Sequence, residues 1–365
     1  MRIGVDGREL AGSARTGIGR YVMEVLRAAS RDGWECVVYG DARTRPVTLP
    51  GVTLRVLDGR WTQCWDQVML PRQLARDRVS AFLSPYYKGP LFAPCPVVLT
   101  IHDLFFLDYP GRRRPLHRAM MTRVARLYAR RATAIIADSE YSKRTIVERL
   151  GITPASVTVI PVALGAEFRP EPGTEAVRSR YAISDPYILY VGNFRPHKNL
   201  PRLIRAFAAL DAPLRGRHVL VLAGGDRANR PALEALAKGL GVADRVVFPG
   251  QVHDADLPAL YSACALFVLP SLEEGFGLPA LEALACGAAV VAADRAAIPE
   301  VVGDAGLLVD PEDEAAIAAA ITRVLSTPEL RESLRRRGLE RAREFPHDRT
   351  AGAVLALLRR VSEPR

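Results

Sequence analysis

Two glutamates eight positions apart, Glu274 and Glu282, bracket a glycine-bearing loop in the stretch PSLEEGFGLPALEALACG that starts at Pro270. An apolar run ends at Pro270, and Pro279 suits the first turn of a helix, where its missing N–H would have had no partner. The order is therefore strand, loop, helix. Gly275 and Gly277, flanking Phe276, let the backbone approach a ligand closely. The helix beginning at Leu278 turns its first N–H groups and positive dipole end toward an anion. That arrangement suits a pyrophosphate. Carboxylates suit neutral hydroxyls instead, so Glu274 in the loop and Glu282 near the helix start fit two hydroxyl-bearing ends of one ligand. The alternative is helix-start capping and surface charge; the Gly-Phe-Gly run between the glutamates favours the ligand.

A second element, YVGNFRPHKNL from Tyr190 to Leu200, follows another apolar run. Lys198 there is a point charge that could meet the same pyrophosphate. Arg195 is the second cation, and His197 reads as a loop or helix-start residue. Asp254-Ala-Asp256 has the D-x-D form of some divalent-cation sites, but it precedes LPALYSA and reads as an N-cap with a first-turn acid. No metal and no other cofactor is required if Lys198, Arg195 and the helix N-terminus carry the phosphate charge.

The segment from Glu274 to Glu282 resembles the E-x7-E signature of the family 4 retaining glycosyltransferases, and Gly192 to Asn199 resembles that family's G-x5-K-N loop. The resemblance covers nearly the whole chain and is densest from Tyr187 to Pro311. It implies an α/β GT-B fold, two Rossmann-like doubly wound domains facing a central cleft. The implied activity is retaining, metal-independent transfer of a hexose from a nucleoside-diphosphate sugar to a saccharide or lipid-linked acceptor in polysaccharide or glycolipid assembly. Mannose from GDP-mannose is the expected donor on family grounds. Glu274 would meet the donor sugar and Glu282 the ribose, while VVFPGQV, with Gly250 and Val252, would hold the base through its backbone. Asn193 stands where a common form of the pattern has Arg directly after the glycine. The competing functions are a sugar-nucleotide epimerase of the same architecture and a non-catalytic protein that has kept the fold.

In the first half, Thr16 to Tyr21 (TGIGRY) is expected to be a glycine turn before an apolar-periodic helix. A dinucleotide fingerprint would want a third glycine near Val22, which is absent; the family resemblance instead places Gly17 and Gly19 near the donor. His102 and Asp103 close an apolar run, and polar residues at the C-terminal end of a parallel strand are where α/β folds bind ligands. The resemblance makes His102 the histidine that hydrogen-bonds the donor sugar and helps position the acceptor, with a satisfied turn histidine as the alternative. Asp103 fits an acceptor contact or a helix cap, and Asp138-Ser139, after the next strand but similar in kind, reads first as a cap and otherwise as a strand-end site pair. From Arg112 through Arg131 the chain is basic and amphipathic, with Met120, Met121, Val124, Leu127 and Tyr128 on one side and most arginines opposite. Such a helix suits an anionic membrane surface; an ordinary packed helix with a solvated face is the alternative.

These residues need a scaffold, and the chain supplies two series of short apolar runs alternating with amphipathic stretches, the pattern of parallel sheets covered by helices. The first series is Arg2 to Val5, Glu35 to Tyr39, Ala81 to Leu83, Val97 to Ile101, Ala134 to Ala137 and Val157 to Ile160. The second is Tyr187 to Val191, His218 to Ala223, Val246 to Pro249, Leu266 to Leu269, Ala289 to Ala292 and Gly306 to Val309. Between them FRPEPGTEAVRSRYAISDP reads as a linker. The expected domains are an acceptor-side unit over 1–170, a donor-binding unit over 171–345, and a final helix over 346–365 that packs back on the first.

Composition sets the outer limits. The 365 residues, 49% hydrophobic and 25% charged, suit two globular domains rather than disorder. Five scattered cysteines form no zinc pattern and point to a reducing, cytoplasmic setting. No leader and no spanning segment is apparent. Residues 1–180 hold 28 Lys/Arg against 17 Asp/Glu, a net of +11 of the chain's +10, so the remainder is −1. The first half is thus expected to face something anionic. Nucleic acid is excluded because no recognisable binding module or aromatic platform accompanies the arginines.

Overall fold

The computed structural model describes residues 1–10, 17–59, 61–107, 115–183, 186–226 and 228–363. The chain divides into two compact units, Met1–Ala163 with Asp348–Arg365, and Leu164–His347. Each is built on a fully parallel sheet.

The first sheet holds β1 (Arg2–Asp6), β2 (Glu35–Gly40), β3 (Val52–Val56), β4 (Ala81–Ser84), β5 (Val97–Ile101), β6 (Ala134–Ala137) and β7 (Val157–Val159), in the spatial order β3-β2-β1-β4-β5-β6-β7. The second holds β8 (Tyr187–Gly192), β9 (Val219–Gly224), β10 (Val246–Gly250), β11 (Leu266–Leu269), β12 (Val290–Ala293) and β13 (Leu307–Val309), in the order β10-β9-β8-β11-β12-β13. Both are doubly wound, and in both the order reverses beside the first strand of the unit. The switch points lie between β1 and β4 and between β8 and β11, where open α/β sheets bind ligands at the strand C-termini.

The strands read as near-continuous apolar runs because helices cover both faces. Successive residues of β5 and β6 divide between two cores. Val98 and Ile136 pack with Val22, Val25 and Leu26 of the helix Gly17–Arg31. Leu99 and Ile135 pack with Phe82, Ile146 and Leu150 on the opposite face. The final helix, Arg349–Ser362, buries Val354, Leu355 and Leu358 in the first of these cores.

Glycine is obligatory at the end of β9. Gly224 has φ +109°, and a Cβ there would fall 2.2 Å from the Gly192 carbonyl oxygen at the end of β8. The two backbones therefore run unusually close at the strand ends that lead into the Lys198 loop.

Several expectations require correction. β3 was not anticipated, because VTLRV lies at the sheet edge with Thr53, Arg55 and Val56 exposed and lacks a buried run. The helix Glu175–Arg180 occupies part of the expected linker. From Glu314 the chain forms two helices, Glu314–Ser326 and Pro328–Ala342, broken where Pro328 starts the second. Gly17 and Gly19 lie in the first turn of Gly17–Arg31 rather than in a turn before it, and Thr16 falls outside the described residues. Asp254–Asp256 is a 3-10 turn in which Asp256, not Asp254, precedes the next helix and makes no side-chain cap bond. Its carboxylate instead accepts from Arg180 (2.7 Å) and from the Tyr181 hydroxyl (2.7 Å).

The basic helix also differs. It spans Pro115–Arg131, and its packed stripe is Ala125, Tyr128 and Ala129 with Met121 and Val124 at the margin. Met120 and Leu127, grouped by the sequence with Met121, Val124 and Tyr128 on one side, are exposed, as is Leu116. Helical spacing puts these three on one outer face with Arg123, Arg130 and Arg131. Arg112, Arg113 and Arg114 lie outside the described residues.

Candidate active site

In the second unit the ends of β8 and β11 bring Lys198 and Glu274 together. β8 runs YILYVG with its first four residues buried, and the chain then loops through Asn193–Arg195 into the 3-10 turn Pro196–Lys198. Asn199 follows at φ +62°, and its amide donates to the carbonyls of Pro270 (3.0 Å) and Pro311 (2.6 Å). The Leu272 N–H donates to the His197 carbonyl at 2.8 Å. The loop after β8 is thereby fastened to the loop after β11, and the K-N pair divides its labour: asparagine locks the backbone, lysine projects.

Lys198 Nζ donates to Glu274 Oε1 at 2.6 Å, with the two side chains only 11% and 10% exposed. Ser271 Oγ donates to the same oxygen at 2.7 Å. Both bonds converge on Oε1, and among the described residues no side-chain bond to Oε2 is recorded. An ammonium has three N–H donors, so Lys198 keeps capacity for further acceptors after binding Glu274. Removing two charges from water costs several kcal/mol per ion before their attraction is counted, so such a pair is weak grounds for stability. It is a strong device for holding two functional groups in one geometry.

The helix Leu278–Ala285 starts four residues after Glu274. Gly277, at φ +100°, is its N-cap, with no side chain capping it, and Pro279 lies in its first turn. Phe276 is buried and stacks edge-on against Phe345 at 5.8 Å. Glu282, on the fifth residue of the helix, is buried and accepts from the Tyr261 hydroxyl at 2.9 Å. The two glutamates are thus held by separate partners on the two sides of a glycine-capped helix start.

Arg195 is exposed, and its backbone N–H donates to Asn193 Oδ1 at 3.2 Å. Asn193, where a common form of the pattern has arginine, therefore shapes the loop. His197 is pushed down to about 4 by burial, with the Lys198 charge adding to the effect, so it is neutral at pH 7. Gly250 ends the edge strand β10 at φ +79°, and Val252 lies just beyond it, half-buried.

In the first unit His102 follows β5 directly. Its Nδ1 lies 2.7 Å from Asp138 Oδ2, and its ring meets Tyr21 edge-on at 5.4 Å. Tyr21 is fixed in turn by a 2.9 Å bond to Thr100 Oγ1. Asp103 accepts from the Phe105 N–H at 3.1 Å and so caps the short turn Phe105–Leu107. Of Asp138-Ser139, Ser139 caps the next helix, accepting from the Ser142 N–H, while Asp138 faces His102. A signal for the pair was present. β5 and β6 are parallel with Ile101 opposite Ala137, so the next residues, His102 and Asp138, are neighbours by register.

The switch point of the first sheet holds a further charged group that sequence did not reveal. Arg8 contacts Asp66 at 2.8 Å and also pairs with Asp6, Lys88 reaches Asp66 at 2.9 Å, and the Arg8 guanidinium stacks 3.8 Å from the Trp65 ring. Among the described residues no cluster of three or more His, Cys, Asp or Glu is arranged to hold a metal ion.

The family described as Glycosyltransferase Family 4 matches residues 15–168, and that described as Glycosyl transferases group 1 matches residues 175–341. The chain belongs to the family 4 glycosyltransferases. The first match contains His102 and Asp138, the second Lys198, Glu274 and Glu282. The O-antigen chain mannosyltransferase B of Escherichia coli is 33% identical over 251 residues, 68% of this chain and 66% of that protein. Among solved structures, sucrose-phosphate synthase from Thermosynechococcus elongatus superposes with a TM-score of 0.79 at 24% identity, covering 99% of this chain and 98% of the other. HepE from Anabaena, solved with UDP and glucose, gives a TM-score of 0.78 at 20% identity, with 98% of each chain covered. The fold of this family 4 member is accordingly GT-B, with two α/β units of Rossmann type.

Proposed function

We propose that this chain transfers a hexose from a nucleoside-diphosphate sugar to a saccharide or lipid-linked acceptor, with retention of anomeric configuration and without a metal ion, in the assembly of a polysaccharide or glycolipid. The observation that carries this reading is the buried Lys198–Glu274 pair at the switch point of the second sheet, with Glu282 in the helix that follows. Mannose from GDP-mannose is the first donor to test, on the likeness to a mannosyltransferase; UDP sugars come next, since HepE is a UDP-bound relative in fold.

In this reading the donor diphosphate meets Lys198, with Arg195 and the backbone from Gly275 to Leu278 completing its cradle. Glu274 holds a sugar hydroxyl through Oε2, and Glu282 takes the ribose. Gly250 and Val252 flank the base; the first unit's own candidates for ligand contact are Gly17, Gly19, His102 and Asp103. As the bond between the anomeric carbon and the phosphate oxygen breaks, Lys198 opposes the growing negative charge. The acceptor oxygen bonds to the same face of that carbon, and its proton passes to the departing phosphate. Glu274, held on Oε1 by two donors, supports the sugar and forms no covalent bond.

The test is transfer from a panel of nucleotide sugars, with the product anomer read by NMR and the rate measured with and without EDTA. Retention and an unchanged rate are expected. Inversion, loss of rate in EDTA, or a glycosyl adduct trapped on Glu274 each contradict the mechanism.

An anionic membrane surface, on the cytoplasmic side, is the proposed setting for a lipid-linked acceptor. No helix among the described residues is long and apolar enough to cross a membrane. What supports surface binding is the outer face of Pro115–Arg131, where Leu116 is 82% exposed beside Met120, Leu127 and three arginines, and the helix carries no acid. Phe92, 73% exposed, extends it, with the Arg131 guanidinium 5.1 Å from its ring. Each arginine near an anionic surface contributes about 1 kcal/mol, and the apolar side chains add insertion. The protein should float with phosphatidylglycerol vesicles at low salt, and Leu116→Ser/Met120→Ser/Leu127→Ser should remain at the bottom. Equal flotation with phosphatidylcholine, or of the variant, contradicts this setting.

A further inference from the structure

We infer that Asp138 is a positioning residue that holds the His102 imidazole as a cation, with Nδ1–H on its carboxylate and Nε2–H offered to a substrate oxygen. The inference rests on the transferase reading only for the identity of that oxygen.

The geometry leaves the ring little freedom. Nδ1 and Asp138 Oδ2 are 2.7 Å apart, the range of a charge-assisted bond, and Tyr21 abuts the ring edge-on. An ionised carboxylate only accepts, so Nδ1 carries the proton. At the far side of the ring Nε2 is buried, and among the described residues it has no hydrogen-bond partner. A buried polar atom without a partner in a native fold calls for an explanation, and a ligand is one. The charged groups acting most strongly on the ring are acids: Asp138 after β6, Asp103 beside it in the chain, and Glu9 from the turn after β1. Burial opposes the charge most strongly of any single influence, but the three carboxylates together prevail and raise the histidine above its ordinary 6.5.

Side-chain NMR of the six histidines, with His102 assigned through His102→Gln, tests the charge state without substrate. In the unaltered protein His102 should titrate above 6.5. In Asp138→Asn burial acts with less opposition, and the midpoint should fall below 6.5; Asp138→Glu should restore the upward shift. A midpoint below 6.5 in the unaltered protein overturns the inference even if the variants fail to fold, as does a midpoint that Asp138→Asn leaves in place. In transfer assays, kcat/KM should decline as pH rises through the His102 midpoint, and Asp138→Asn should move that decline to lower pH. A uniform loss of rate at every pH would reduce Asp138 to structural support and overturn the inference. If His102 titrates as expected but no nucleotide sugar supports transfer, the charge assignment is upheld and the transferase reading fails.

Discussion

Lys198→Ala should lower kcat by about 10²–10³-fold, the loss typical of removing one donor that stabilises developing negative charge. Two consequences of the geometry bear on the measurement. Lys198 is paired with Glu274 at 2.6 Å, so the substitution leaves Glu274 buried with Ser271 as its remaining recorded side-chain partner. A carboxylate stripped of its cation is destabilised, and thermal unfolding must be followed beside activity. If the lysine acts on the leaving diphosphate, Lys198→Met/Glu274→Gln, which removes both charges, should restore the unfolding temperature and leave kcat low. Recovery of stability and rate together would mean that the pair is a structural clasp. Glu274→Gln alone should also lower turnover while leaving nucleotide affinity near that of the unaltered protein.

Glu282→Ala should produce the opposite division, weakening nucleotide binding with turnover at saturating donor largely kept. Losing a hydrogen bond to a charged group costs about 1.5–3 kcal/mol, which corresponds to roughly 10- to 100-fold in Kd. Tyr261→Phe separates the carboxylate's own contact from its support, because it removes the 2.9 Å bond from the Tyr261 hydroxyl and leaves Glu282 in place. A loss in Tyr261→Phe that is smaller than in Glu282→Ala is expected. Titration calorimetry with the nucleoside diphosphate reads both. If Glu274 and Glu282 substitutions give equal, slight effects on rate and affinity, the two residues are helix-start decoration.

Much of this site was legible before any coordinates, for a physical reason. Strands buried on both faces must be apolar along their whole length, so β5, β6 and β11 announce themselves, and the polar residues just after them mark the strand ends where ligands bind. Glycine and proline at Gly275, Gly277 and Pro279 signal a backbone that turns sharply into a helix. What stayed hidden depends on tertiary neighbours. β3 is an edge strand and Glu175–Arg180 lies in a Pro- and Gly-rich stretch, so neither carries a strong periodic signal. The Asp138–His102 pair requires knowing that β5 and β6 are adjacent and in register. Tyr261 and Ser271, which hold the two glutamates, are ordinary helix and loop residues in the sequence. Asp256 looked like helix capping or metal chemistry and instead receives Arg180 and Tyr181 from the preceding helix and the residue after it. The outer face of Pro115–Arg131 was misjudged because apolar residues lie on both sides of that helix, and only packing decides which side is covered.

The central claim, that the loops after β8 and β11 form a nucleotide-sugar site, is tested most directly by protection against thermal unfolding across a panel of GDP, UDP and ADP sugars. A ligand at a hundred times its Kd should stabilise the folded protein by about 2.7 kcal/mol. At least one sugar nucleotide should raise the unfolding temperature of the unaltered protein, and the rise should be sharply reduced in both Lys198→Ala and Glu282→Ala. No rise with any member of the panel, or an equal rise in the two variants, would contradict the account.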